Sequence, residues 1–152
     1  MRKRYWWGLF TLACFLTVTG RVGTQLQAQQ PDELLVMQAT NQDRAQNGLG
    51  PLKWDPALAL AAQAHAQLMA RQPALSHQYP GEPDLVTRAG QHGAHFRVIA
   101  ENIAMGPSPL NLEEQWMHSA PHRANILDPR LDAVGIGLVK RGNYYYGVED
   151  FS

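Results

Sequence analysis

The sequence predicts an α+β domain with a small antiparallel sheet. Three observations lead there. Helix-period segments with clear start and stop signals come first. Strand signals gather at the end, in a hairpin pattern over 133–151. No strand–helix–strand alternation of the kind that builds parallel sheets runs through the chain. No repeat, charge block or long low-complexity linker interrupts 31–152, so a single domain is expected over 29–152.

Residues 1–28 read as a secretory signal peptide. Arg2, Lys3 and Arg4 form a basic start, residues 6–18 are an apolar run, and Ala28 stands where cleavage would leave Gln29 first. The run is short for a membrane span, so no transmembrane segment is expected in the mature chain. A lipobox at Thr11–Cys14 is the rival reading and would anchor the chain through Cys14. Without residues 1–28 the chain keeps nine basic and thirteen acidic residues, a net charge of −4. That balance argues against a nucleic-acid partner and against simple adhesion to an anionic membrane. The only cysteine leaves with the leader, so the exported domain is disulfide-free and held by its core. About 124 residues suffice for one such core.

Pro31 and Asp32 open a first helix, with Leu34, Met37, Asn41 and Ala45 on its expected inner stripe, and N-G-L-G-P (47–51) stops it. Asn41 on that stripe reads as a buried amide bonded to a neighbouring loop. Asp55 followed by Pro56 is a strong N-terminal signal for a second helix. Leu58, Ala61, Ala62, His65, Leu68 and Met69 form its apolar face, which makes His65 a core histidine. Trp54 is expected to pack back onto this helix.

Residues 73–83 hold three prolines and read as loop, which exposes His77 to solvent and to chemistry. Asp84 caps a short third helix with Leu85, Arg88 and Ala89 inside. A strand is expected within 95–104, with Phe96, Val98 and Ala100 on one face. Asn111 and Glu114 resemble a capping box for a fourth helix. Leu112, Trp116 and Ser119 then share one face. Pro121 breaks or restarts that helix and would place His122 at the head of a new short one, with Ser119 as its N-cap. Gly142-Asn143 is the connector of the final hairpin.

Taken in order, these residues carry a family likeness. N-x-x-R (41–44), L-x-W-D-x-x-L (52–58), A-x-x-H-A-x-x-M (62–69), S-H (76–77), A-E-N-I-A (100–104), W-M-x-S-x-x-H-R-x-N-I-L (116–127), V-G-I-G (134–137) and Y-Y-G-V-x-D-F (145–151) resemble the bacterial branch of the CAP superfamily. Its domain, also called the SCP domain, is shared by cysteine-rich secretory proteins, antigen 5 and plant pathogenesis-related proteins. The resemblance implies a three-layer α–β–α sandwich with a cleft lined by two histidines and two acids. His77 matches the first histidine, Glu101 the first acid and His122 the second histidine. The second acid of the eukaryotic members falls on Ser119, and the eukaryotic disulfides are absent.

Two imidazoles and a carboxylate are reasonable Zn²⁺ ligands, so His77, His122 and Glu101 form a candidate metal set, with water or Ser119 in a fourth place. The ligands are dispersed over loops, unlike a local H-E-x-x-H. The competing reading is a hydrogen-bonded polar cluster that only holds three segments together. Ser119 and His122 are spaced for a Ser–His pair, but nothing resembles a G-x-S-x-G elbow. His92, His95 and His118 read as surface residues, and Arg123 as a partner for Asp128 or Asp132. The residues therefore favour an exported binding module for a small molecule, lipid or protein over an enzyme. A metal-dependent hydrolase of peptide or cell-wall material and a structural envelope protein are the alternatives. Export implies a secreted or periplasmic location.

Overall fold

Short polar side chains next to prolines set most of the helix starts. In the computed structural model, which describes residues 31–152, Asp55 accepts from the backbone N–H groups of Ala57 (2.7 Å) and Leu58 (3.1 Å) and starts α2, Pro56–Met69. Asp84 accepts from Thr87 N at 2.7 Å and starts α3, Leu85–Gln91. Ser108 accepts from Asn111 N at 3.2 Å and starts α4, Pro109–His118. This last cap corrects the expected Asn111 box, because Pro109 already has the φ of a first helical residue. The expected signal peptide, residues 1–28, and its cleavage before Gln29 lie outside the described residues.

The chain begins with α1, Pro31–Gln46, and a two-residue strand β1, Lys53–Trp54. After α2 and α3 come β2, Ala100–Gly106, then α4 and α5, Ala120–Ile126. The hairpin of β3, Ala133–Arg141, and β4, Tyr144–Phe151, closes the order around Gly142, whose φ is +60°. The strands lie in the order β1-β3-β4-β2. All pairings are antiparallel except β1 with β3, so the sheet is mixed at one edge. The expected strand over 95–104 begins five residues later, and Phe96 and Val98 lie in the approach to it.

Alternation along the strands sends neighbours to opposite faces. On one face Val148 and Ile103 meet Ala62, Ala66 and Met69 of α2. Helix α2 lies so close that a Cβ at Gly135 or Gly137 would fall 2.0 Å from Ala59 N or 2.3 Å from Gln63 N. On the other face Val134, Ile136, Leu138 and Phe151 meet Val36, Leu112, Trp116 and Ile126 of α1, α4 and α5. The result is the α–β–α sandwich. Trp54 packs against this second core and not onto α2, because β1 pairs with β3 and carries the ring to that side.

Helix α1 is turned relative to the expected stripe. Its buried residues are Glu33, Val36, Thr40 and Arg44, while Leu34 is exposed. Arg44 belongs inside because it donates to the carbonyls of Gly50 (2.8 Å), Ile126 (2.7 Å), Asp128 (3.2 Å) and Leu131 (3.0 Å). Asn41 spans to Leu52 with both ends of its amide, as a loop-fixing residue should.

Candidate functional site

The 73–83 loop is shaped by its own polar groups. Tyr79 OH donates to Ala74 O (2.6 Å), Ser76 Oγ to Gln78 O (2.7 Å) and Gln78 Nε2 to Glu82 O (3.0 Å). His77 projects from it with 57% of its side chain exposed. Its Nδ1 lies 2.8 Å from Glu101 Oε1, on β2. Glu101 is the reverse case, a carboxylate only 3% exposed, and its Oε2 accepts from Arg88 Nη2 of α3. The hydrogen bond to Glu101 raises the pKa of His77 against the opposing effect of burial.

The charges continue inward. Arg88, 4% exposed, places Nη1 3.5 Å from Glu82 Oε1. The same oxygen is 2.6 Å from His65 Nδ1, and Glu82 Oε2 accepts from Tyr79 N at 3.0 Å. His65 Nε2 donates to Ser76 O at 3.0 Å. His65 is thus fully buried, as expected, but it is also part of a polar network. Asp150, the cross-strand partner of Glu101, sits 3.9 Å from Arg88 Nη2. Burial pushes its pKa well up, and the neighbouring Glu101 carboxylate adds to the rise. A protonated Asp150 can donate to Glu101, which limits the charge held on this face.

His122 stands in the first turn of α5, half-buried. Two amides dock this helix on β2. Asn102 Nδ2 donates to His122 O (3.2 Å), and Asn125 Nδ2 donates to Asn102 Oδ1 (2.9 Å) and Glu101 O (3.3 Å). Burial lowers the pKa of His122, and the nearby His77 lowers it further. Ser119 occupies the junction of α4 and α5, where its side chain makes no capping bond. So His77 and Glu101 are bonded, His122 lies within electrostatic reach, and Ser119 is three residues ahead of it on the same turn.

Both Glu101 oxygens are engaged, Oε1 with His77 and Oε2 with Arg88. Among the described residues, no three His, Cys, Asp or Glu side chains are grouped to hold a metal ion. Arg123 donates to Asn47 Oδ1 at 3.1 Å and so does not pair with Asp128, which Arg130 holds instead.

Sequence reasoning did not find Glu82, Arg88 and Asp150 as parts of this site. Arg88 had a signal, since an arginine on the inner side of a short helix needs an acid to face. A second missed cluster lies across the sheet, where Thr40 Oγ1 is 2.9 Å from Glu113 Oε2 and 2.8 Å from Glu149 Oε1.

The comparisons bear on the family and the fold. Residues 37–151 match the family described as CAP, the cysteine-rich secretory protein family. The chain is 33% identical over 114 residues to "Uncharacterized protein YkwD" of Bacillus subtilis, a match covering 74% of this chain and 44% of that protein. "Uncharacterized membrane protein YlbC" of the same species is 29% identical over 121 residues, covering 77% and 34%. The chain thus spans less than half the length of these curated relatives. Among solved structures, an extracellular protein containing an SCP domain from Bacillus anthracis superposes with a TM-score of 0.72 at 24% identity, covering 82% of this chain and 44% of that one. An outer surface protein of Borrelia burgdorferi superposes with a TM-score of 0.73 at 18% identity, covering 82% and 93%. Both likenesses concern the fold.

Proposed function

The chain belongs to the cysteine-rich secretory protein family, and from that premise we propose that it is an exported binding module whose working face is His77 and His122, with Glu101 behind and Ser119 at the edge. The observation that carries this reading is an exposed imidazole held by a buried carboxylate. A surface histidine needs no such support to be tolerated. A histidine that must present one nitrogen in a fixed direction does.

Export rests on the charge and hydropathy of residues 1–28 and on the extracellular description of the Bacillus anthracis neighbour. No helix among the described residues is long and apolar enough to cross a membrane. The mature chain then begins at Gln29. N-terminal sequencing of the protein recovered outside the cytoplasm tests this, and a lipid-modified Cys14 at the N-terminus would overturn it.

The donor set suits an open divalent-metal site and not a closed structural one. Nε2 of His77 and the ring of His122 have no hydrogen-bond partner among the described residues, so two imidazoles are available. Ser119 and water would complete the set, and Glu101 would act by orienting His77. A bound Zn²⁺ would supply Lewis acidity at this face. Calorimetric titration with Zn²⁺ tests the reading. His77→Ala or His122→Ala should weaken binding far more than Ser119→Ala, because water replaces a hydroxyl but not an imidazole. Both imidazoles must be neutral to bind metal, so affinity should fall on acidification. The raised pKa of His77 makes that loss begin above the ordinary histidine value. Equal affinity in the wild type and the double His→Ala variant would overturn the metal reading.

A second reading is favoured by the same pair. A carboxylate-backed imidazole with a free Nε2 is also a general-base arrangement, which fits a hydrolase of peptide or cell-wall material. Turnover of peptide or peptidoglycan substrates that His77→Ala abolishes would establish it. Absence of turnover with Zn²⁺ binding intact leaves the binding module.

A further inference from the structure

We propose that Arg88 is the positioning residue of the His77–Glu101 pair, and that Glu82 and His65 anchor it in a closed ring of polar contacts returning to the loop that carries His77. This rests on His77 being the working residue of the site.

The ring can be followed contact by contact. His77 Nδ1 meets Glu101 Oε1 at 2.8 Å, and Glu101 Oε2 meets Arg88 Nη2. Arg88 Nη1 lies 3.5 Å from Glu82 Oε1, and Glu82 Oε1 lies 2.6 Å from His65 Nδ1. His65 Nε2 meets Ser76 O at 3.0 Å, and Ser76 is the residue before His77. The side chain of His77 and the backbone leading into it are therefore held from the same network.

Burying so many charges is a poor way to gain stability, since apolar residues of similar volume often serve as well or better. What the ring supplies is direction. The guanidinium is planar and always protonated, and it occupies one oxygen of Glu101. The other oxygen is left facing His77 as an acceptor. Nδ1 must then carry the ring proton, and the Nε2 lone pair points outward. Lacking Arg88, nothing holds the second oxygen of Glu101, and the carboxylate is free to turn away from His77 Nδ1. The acceptor that selects the tautomer is then no longer fixed in place.

The test is the ¹⁵N spectrum of the histidine rings at about pH 8, where imidazoles are neutral. The wild type should show His77 mainly as the Nδ1–H tautomer. Arg88→Gln should shift it toward Nε2–H, the form free imidazole prefers, while Arg88→Lys should restore part of the wild-type signature. Zn²⁺ affinity should fall about 10–100-fold in Arg88→Gln, as for other residues that orient a metal-binding histidine. A folded Arg88→Gln with unchanged His77 tautomer would overturn the proposal, as would a wild type already in the Nε2–H form. If Arg88→Gln does not fold, Glu82→Gln gives the second reading, and an unchanged His77 tautomer there overturns the ring. A tautomer shift in a protein that does not bind Zn²⁺ would support the positioning role and reject the metal reading alone.

Discussion

Glu113 and Glu149 meet across a single hydroxyl, and one proton cannot serve both. Thr40 Oγ1 also lies 3.1 Å from Val36 O, so three acceptors compete for its hydrogen. Burial pushes Glu113 up to about 10, with the Glu149 charge adding to the rise, and burial pushes Glu149 up to about 7. Each acid holds its proton more tightly folded than unfolded. Their contribution to stability is complete below the unfolded value of 4.5 and declines as pH rises, through about 7 for Glu149 and toward about 10 for Glu113. Glu149→Gln removes one titration and keeps the shape. At pH 8 it should stabilise the protein by roughly 1–3 kcal/mol, the cost of an unsatisfied buried group. It should also flatten the melting temperature between pH 5 and pH 8, which thermal denaturation at the two values measures. A wild type that melts higher at pH 8 than at pH 5 would contradict the assignment. At this scale the sequence pointed to His77, Glu101 and His122 as candidates, because each stands on a loop or near an element end within a recognisable short motif. It did not show Thr40, Glu82 or Asp150. The partners of Thr40 and Asp150 lie far along the chain, Glu82 sits in a loop whose shape has no periodic signal, and a buried carboxylate in Y-Y-G-V-E-D-F looks like an exposed one until the opposite strand is known.

Helix α2 lies directly against β3, and two glycines of that strand, Gly135 and Gly137, make the approach possible. Gly137→Ala would place a methyl group against the backbone of Ala62 and Gln63, which cannot yield as a side chain tip could. A loss of at least about 1–3 kcal/mol is expected, read by denaturant titration. Gly90→Ala is the control, since a Cβ there meets nothing within 4 Å. Trp116 is fully buried between α4 and the sheet, and Trp116→Ala should cost about 3–5 kcal/mol. Trp54 is only partly buried and should cost less. Helices α2 and α3 and the hairpin turn were legible because a cap or turn is a local event, decided by two or three adjacent residues. The inner face of α1 was not. Arg44 and Thr40 are buried by groups contributed from 50–149, and a hydropathy stripe counts only apolar side chains. The start of β2 was misplaced for a related reason, since alternation over 95–104 is indifferent to whether a partner strand is present. Its partner Phe151 pairs with Ala100, and β4 extends no further.

The sequence holds one cysteine, Cys14, and residues 29–152 hold none, so reductant should leave the melting temperature of the domain unchanged. A drop on reduction would mean an intermolecular bond through a retained Cys14. The α+β class was foreseen from the order of elements and the sandwich from the family resemblance, but the short parallel strand was not, because two residues carry no periodicity. The sheet has β4 near its middle and β2 at one edge. An edge strand presents carbonyls on its open side, and such rows recruit further strands. Two of those groups are already taken: Asn125 donates to Glu101 O at 3.3 Å and Gln115 to Met105 O at 3.1 Å. Asn125, which also sets the site's helix in place, and Gln115 of α4 thus act as gatekeepers against self-assembly. Asn125→Ala combined with Gln115→Ala would leave that border open, and light scattering on warming should then detect fibrous or amorphous association at temperatures where the parent protein stays monodisperse.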